Sequence, residues 1–141
     1  MSEAEPIDWP ALEKAALEAR ERAYAPYSDY HVGAALLAMD GTIYRGANVE
    51  NASYGLCLCA ERSAIATAVV EGVTQFRAIV VATRGPRAAA PCGMCRQVLV
   101  EFSPSFPVRC ITATGEVSLD TDVATLQPHA FGPSYLNDDD S

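Results

Sequence analysis

No stretch of this chain approaches the roughly 20 consecutive apolar residues that span a bilayer. The opening Met1-Ser2-Glu3-Ala4-Glu5 lacks the basic, then apolar layout of a signal peptide. Both absences predict a cytoplasmic protein with no membrane partner. Basic residues are scarce as well: 10 Lys and Arg stand against 18 Asp and Glu, a formal net charge of -8. A phosphate backbone is gripped by clustered Lys and Arg, so this balance argues against a nucleic-acid partner and favours a small, weakly charged one. Histidine occurs only twice, and neither His31 nor His129 falls in a metal-ligand motif.

What is present is apolar enough for a core. At 141 residues and 50% hydrophobic content the chain suits one domain without disulfide staples. That domain is expected over residues 1–136, with 137–141 as a solvated acidic tail carrying Asp138-Asp139-Asp140. The cysteines are five, an odd number, at Cys57, Cys59, Cys92, Cys95 and Cys110. In a reducing compartment they read as metal ligands or buried thiols rather than a disulfide framework.

The hydrophobic pattern predicts a helix capped by Asp8, with Pro10 in its first turn and Leu12, Ala15, Ala16 and Ala19 on one face, through Arg22. His31 to Ala38 reads as a buried strand, Asp40-Gly41 as a two-residue hairpin turn and Thr42 to Ala47 as the returning strand. A polar loop from Asn48 to Leu58 leads into a helix from Cys59 towards Gly72. A strand over Phe76 to Thr83, a helix from Cys92 through Phe102 and a strand over Val108 to Ala113 follow. Val117 to Leu119 is a candidate short strand and Thr121 to Gln127 a candidate short helix. An initial hairpin followed by alternating helices and strands predicts an α/β fold: a three-layer α/β/α sandwich around a mixed sheet of roughly five strands, with right-handed crossovers.

Two cysteine clusters carry the chemistry: Cys59-Ala60-Glu61 and Pro91-Cys92-Gly93-Met94-Cys95. Cys59, Cys92 and Cys95 offer one zinc ion three thiolates and leave the fourth tetrahedral position open, as in a catalytic rather than a structural site. Both clusters sit at predicted helix starts, where partial positive charge and free N–H groups favour thiolates. Three thiolates overcompensate a divalent cation, so positive charge must return. Arg62 and Arg96 are the candidates to hydrogen-bond the sulfurs, the alternative being ordinary surface arginines.

Glu61, two residues past the first ligand, is the expected proton shuttle; a bland alternative is a favourable carboxylate in a helix's first turn. A lone C-x-x-C would equally suit redox chemistry, but C-x-E together with P-C-x-x-C is the signature of zinc-dependent nucleobase deaminases. Cys57 reads as a buried thiol rather than a fourth ligand, and Cys110 as core.

The run Asn48 to Arg62, N-V-E-N-A-S-Y-G-L-C-L-C-A-E-R, with Pro91 to Val98, P-C-G-M-C-R-Q-V, resembles the small homotetrameric cytidine deaminases. Pro26-Tyr27-Ser28, Val32-Gly33-Ala34-Ala35-Leu36 and Ala130-Phe131-Gly132-Pro133 extend the resemblance over nearly the whole chain. It implies deamination of cytidine and 2'-deoxycytidine in pyrimidine salvage, with one zinc per subunit.

It further implies that Asn48 and Glu50 bind the ribose 3'-hydroxyl, that Tyr30 and Ala60 line the base pocket, and that active sites are composite. In that arrangement Phe131 stacks on a neighbouring subunit's base, with Ala52 and Tyr54 near its sugar. Tyr30 stands where the family usually has Phe and brings a hydroxyl that needs a partner. Asn48 could instead shape its loop, and Phe131 could instead pin the tail to its own core. A deaminase for a nucleoside antibiotic such as blasticidin S, a silent zinc-binding scaffold and a polynucleotide editor are the competing readings. The last is disfavoured by the acidic balance.

Overall fold

The computed structural model describes residues 6–102 and 104–136, so the acidic tail expected at 137–141 lies outside the described residues. The elements run α1 (Trp9–Arg20), β1 (Gly33–Ala38), β2 (Ile43–Ala47), α2 (Ala60–Val70), β3 (Phe76–Ala82), α3 (Gly93–Val100), β4 (Pro107–Ile111), β5 (Val117–Asp122), α4 (Val123–Leu126) and α5 (Pro133–Leu136). A turn of 3-10 helix, Tyr54–Leu56, interrupts the loop before α2. The five strands form one sheet in the order β2-β1-β3-β4-β5. Only β3 and β4 pair in parallel; the other three pairings are antiparallel, so the sheet is mixed as expected.

Helices cover both faces. Leu12 and Ala16 of α1 pack on Ala35, Leu37, Ala78, Val80 and Ile111. Ala64, Ile65 and Ala68 of α2 and Leu99 of α3 pack on Leu36, Ile79, Val81 and Val108. Alternate residues of β1 and β3 thus enter opposite cores, and every residue of β1 is buried, the pattern of a strand covered on both sides. Asp8 caps α1 by accepting from Ala11 N at 3.1 Å, with Pro10 in the first turn.

Several boundaries differ from expectation. The hairpin closes around three residues: Ala38 N donates to Thr42 O at 2.9 Å, and Gly41 takes a φ of 94°. An Asp-Gly pair suits this wider loop too, because glycine is the residue that accepts the left-handed position. Thr121 belongs to β5 and not to a helix, since β5 runs on to pair Val108 with Thr121 and Pro107 with Asp122. Asp122 then caps α4, accepting from Thr125 N at 2.8 Å, which starts the helix at Val123. The short α5 was not anticipated.

Two glycines set how closely the layers approach. A Cβ on Gly46 of β2 would lie 2.3 Å from Ala64 N and 2.5 Å from Ala60 O, and one on Gly33 of β1 would lie 2.1 Å from Ala16 O. Helix α2 therefore rests on bare β2 backbone at its first turn. Gly46→Ala should destabilise the fold by about 1–3 kcal/mol through this overpacking, read as a lower denaturation midpoint in urea.

Candidate active site

Two helix starts converge beyond the carboxyl end of β3. Cys59 is the N-cap of α2 and Cys92 the N-cap of α3, each with extended backbone, and Cys95 lies within the first turn of α3. Their Sγ atoms all lie within 4.8 Å of one another. Thiolates bound tetrahedrally at about 2.3 Å from zinc stand about 3.8 Å apart, so a small inward movement completes the set.

The proton arrangement agrees with that donor chemistry. A hydrogen bond from Cys95, aided by Arg62, lowers the Cys59 thiol to about 5. Its hydrogen bond to Cys59, together with burial, pushes the Cys95 thiol far above the ordinary range. Without a cation the cluster thus shares a proton between sulfurs, and a divalent ion would displace it.

Arg62 donates from Nη2 to Cys59 Sγ at 3.5 Å and to Cys57 O at 3.4 Å. It stands where positive charge is needed to offset the thiolates. Arg96 does otherwise than expected: Nε donates to Pro91 O at 2.7 Å and Nη1 to Leu126 O at 2.9 Å. Its guanidinium ties the segment that delivers Cys92 to α4, because the α3 turn carrying Arg96 faces that backbone rather than the sulfurs.

Beside the sulfurs opens a cavity of about 340 Å³, within the range of small-molecule sites. Tyr30, Asn48, Glu50, Ala60 and Glu61 all line it, with Cys59 and Cys92 at one end. Glu61 is only 5% exposed. Burial, and after it the charge on Cys59, raises its carboxyl above the ordinary 4.5. A carboxyl so placed exchanges protons nearer neutrality than a solvated one.

The Asn48 amide clasps the backbone of the Tyr30 loop, donating to Tyr30 O at 2.8 Å and accepting from Val32 N at 2.8 Å. This loop-shaping role leaves one N–H and one lone pair for a ligand. Glu50 accepts from Tyr27 N at 3.0 Å and Ser28 N at 3.1 Å, and also from Ser28 Oγ. The Ser28 hydroxyl bond chiefly holds its carboxyl below the usual range. The Tyr30 ring lies under the Arg84 guanidinium, 4.9 Å from its centroid, a cation–π contact.

Three named residues stand outside this cavity. Phe131 is 57% and Tyr54 74% exposed, and Ala52 is exposed as well. Cys57 is partly exposed rather than buried. It meets Asn51 N at 3.4 Å and is not part of the sulfur triad. Cys110 is core, and burial raises its thiol to about 12.

Residues that sequence reasoning missed include Ser28, which anchors Glu50, and Thr83, which lines the cavity and accepts from Ala89 N at 3.0 Å. The position of Thr83 just past a strand's carboxyl end was a usable signal, since ligands of open α/β sheets bind there. A larger groove of about 1020 Å³ runs between α1 and β2 past Glu13, Lys14 and Arg22, but none of the sulfurs lines it.

Residues 10–110 match the family described as the cytidine and deoxycytidylate deaminase zinc-binding region. The cytidine deaminase of Sporosarcina psychrophila is 50% identical over 123 residues, covering 85% of this chain and 88% of that protein. That of Halalkalibacterium halodurans is 46% identical over 133 residues, covering 94% and 100%. The crystal structure of cytidine deaminase from Burkholderia pseudomallei superposes with a TM-score of 0.84 at 47% identity, covering 89% of this chain and 100% of that one.

The chain belongs to the cytidine and deoxycytidylate deaminase family. In this zinc-binding family, the group formed by Cys59, Cys92 and Cys95 is positioned to hold one metal ion. Since Cys95 keeps its proton in the metal-free cluster, uptake of zinc at pH 7 should release at least one proton per site, read with an indicator dye in weak buffer. Cys95→Ser should abolish stoichiometric zinc, measured by elemental analysis, and lower the thermal midpoint.

Proposed function

We propose that the protein catalyses hydrolytic deamination of cytidine and 2'-deoxycytidine to uridine and 2'-deoxyuridine, with release of ammonia, as a step of pyrimidine salvage. The observation that carries the reading is a buried carboxyl, Glu61, set between a three-sulfur metal group and a nucleoside-sized cavity. Zinc held by Cys59, Cys92 and Cys95 supplies Lewis-acid activation of water at neutral pH.

The protein's own groups do the rest. Glu61 takes a proton from the attacking water and delivers it to ring nitrogen N3, as oxygen adds at C4. The second proton then passes to the amino nitrogen, the C4–N bond breaks, and ammonia leaves. Arg62 offsets the thiolate charge, and Arg96 braces the segment ahead of Cys92. Asn48 and Glu50 bind the 3'-hydroxyl, with Glu50 held ionised and oriented by Ser28 and Tyr27. Tyr30 and Ala60 border the base.

The same reading takes residues 1–136 as a single catalytic domain working in the cytoplasm as a homotetramer with composite sites. Phe131, Ala52 and Tyr54 then serve a neighbouring subunit. Their exposure in the single chain supports this, as does the exposed aromatic pair that Tyr54 makes with Tyr27, 53% exposed, with ring centroids 6.2 Å apart. Such exposed apolar groups mark interaction surfaces.

The direct test follows the fall in ultraviolet absorbance of cytidine, beside deoxycytidine, cytosine and cytidine monophosphate. Turnover of the two nucleosides alone is expected; none by zinc-loaded protein would overturn the reading. Glu61→Gln should keep its zinc and lose about 10²–10⁴-fold in kcat, the usual weight of a proton-transfer group. The same variant should stabilise the metal-free fold. Because the Glu61 carboxyl is raised above 4.5, the fold binds a proton that the unfolded chain has released, and stability is lost as pH rises from 4.5 through the folded value. Urea melts with chelator at pH 7 should therefore favour Glu61→Gln, with the advantage vanishing below pH 4.5.

A further inference from the structure

Helix α3 carries more than metal ligands. One turn beyond its start, Gln97 donates from Nε2 to Phe131 O at 2.7 Å, a short bond to the segment bearing that ring. The other end of the same amide is fixed, because Gln127 Nε2 donates to Gln97 Oε1 at 3.3 Å. Next along the chain, a Cβ on Gly132 would meet Val100 Cγ1 of α3 at 3.3 Å. The chain thus lies close on the helix just past the point that Gln97 holds. Before it, the backbone reverses at His129, with a φ of 55°. The Phe131 ring itself stands 57% exposed, stacked on Tyr135 at 5.4 Å and an interplanar angle of 17°. That neighbour is also largely exposed, at 64%. The aromatic pair therefore has little core of its own, and its direction is set by the backbone beneath it.

We propose that Gln97 is a positioning residue: its amide clamps the Phe131 carbonyl and so fixes where the Phe131 ring stands when a neighbouring subunit binds nucleoside. The inference rests on the reading of Phe131 as a base-stacking residue in trans. A ring already held in place adds to affinity without an ordering cost at the moment of binding. Loss of the clamp therefore acts on substrate affinity and leaves the chemistry at Glu61 alone. Two of the three sulfurs and the ring lent to another subunit are then both set by one eight-residue helix.

The test is a double-mutant cycle between Gln97→Met and Phe131→Ala, reading KM, kcat, zinc content and thermal midpoint, with uridine affinity by calorimetry as the non-kinetic measure. Gln97→Met should raise KM and weaken uridine by about tenfold, the weight of one hydrogen bond, with kcat within about twofold and zinc unchanged. In the Phe131→Ala background the same change should do nothing further. Gln97→Glu keeps an acceptor for Gln127 and loses the donor to Phe131, and should match Gln97→Met, so the cycle can be run with it if the methionine variant folds poorly. Multiplicative KM effects in the double variant would overturn the proposal, as would normal KM in Gln97→Met beside a raised KM in Phe131→Ala. A normal KM in Phe131→Ala would overturn the trans-stacking reading itself and this inference with it.

Discussion

Everything at the site depends on the approach of α2 to the sheet, where the first turn of the helix lies on the bare backbone of Gly46. Ala60, whose carbonyl makes that approach, sits between Cys59 and Glu61. The height of the sulfur and of the carboxyl above the sheet is thereby one quantity. Helix α3 meets them from the other side of the crossing, at the carboxyl end of β3, and brings Cys92 and Cys95. A catalytic geometry is most reproducible when it is built on packed elements rather than on loops. Here the ligands and the acid all occupy helix starts, where backbone N–H groups are free and the local field favours anions.

Electrostatics at the site is a balance between crowding and compensation. Three sulfurs and a buried carboxyl lie close together, and their mutual repulsion adds to burial in raising the Glu61 carboxyl and the Cys95 thiol. Arg62 relieves part of it, at the cost of a buried Nε that finds no partner among the described residues. Glu50 is handled differently: it is only half-buried at the cavity and is fixed as an anion by a hydroxyl and two backbone N–H groups. One carboxyl is thus kept ready to change protonation and the other is kept from changing, the division of labour expected when two acids serve different tasks.

Much of this was legible in the residues. The ligand triad and Glu61 follow from spacing, since C-x-E and P-C-x-x-C each act locally at a helix start. The strands and main helices follow from periodicity, and the five-stranded mixed sheet from their order. What was not legible depended on partners distant in sequence. Arg96 could not be directed to Leu126 O, nor Asn48 to the Tyr30 loop, without the fold that brings them together. The extension of β5 to Asp122 is decided by pairing with β4, which suits the β-branched Thr121 and moves the helix start on to Val123.

The donor set itself bears on which metal the protein carries in a cell. Three thiolates with no imidazole and no carboxylate among them form a soft site, and soft sites hold copper(I) as readily as zinc. Cys92, the exposed member of the set, is open to whichever ion arrives. Zinc occupancy then depends on cellular metal supply as well as on the geometry that the two helix starts impose on the sulfurs.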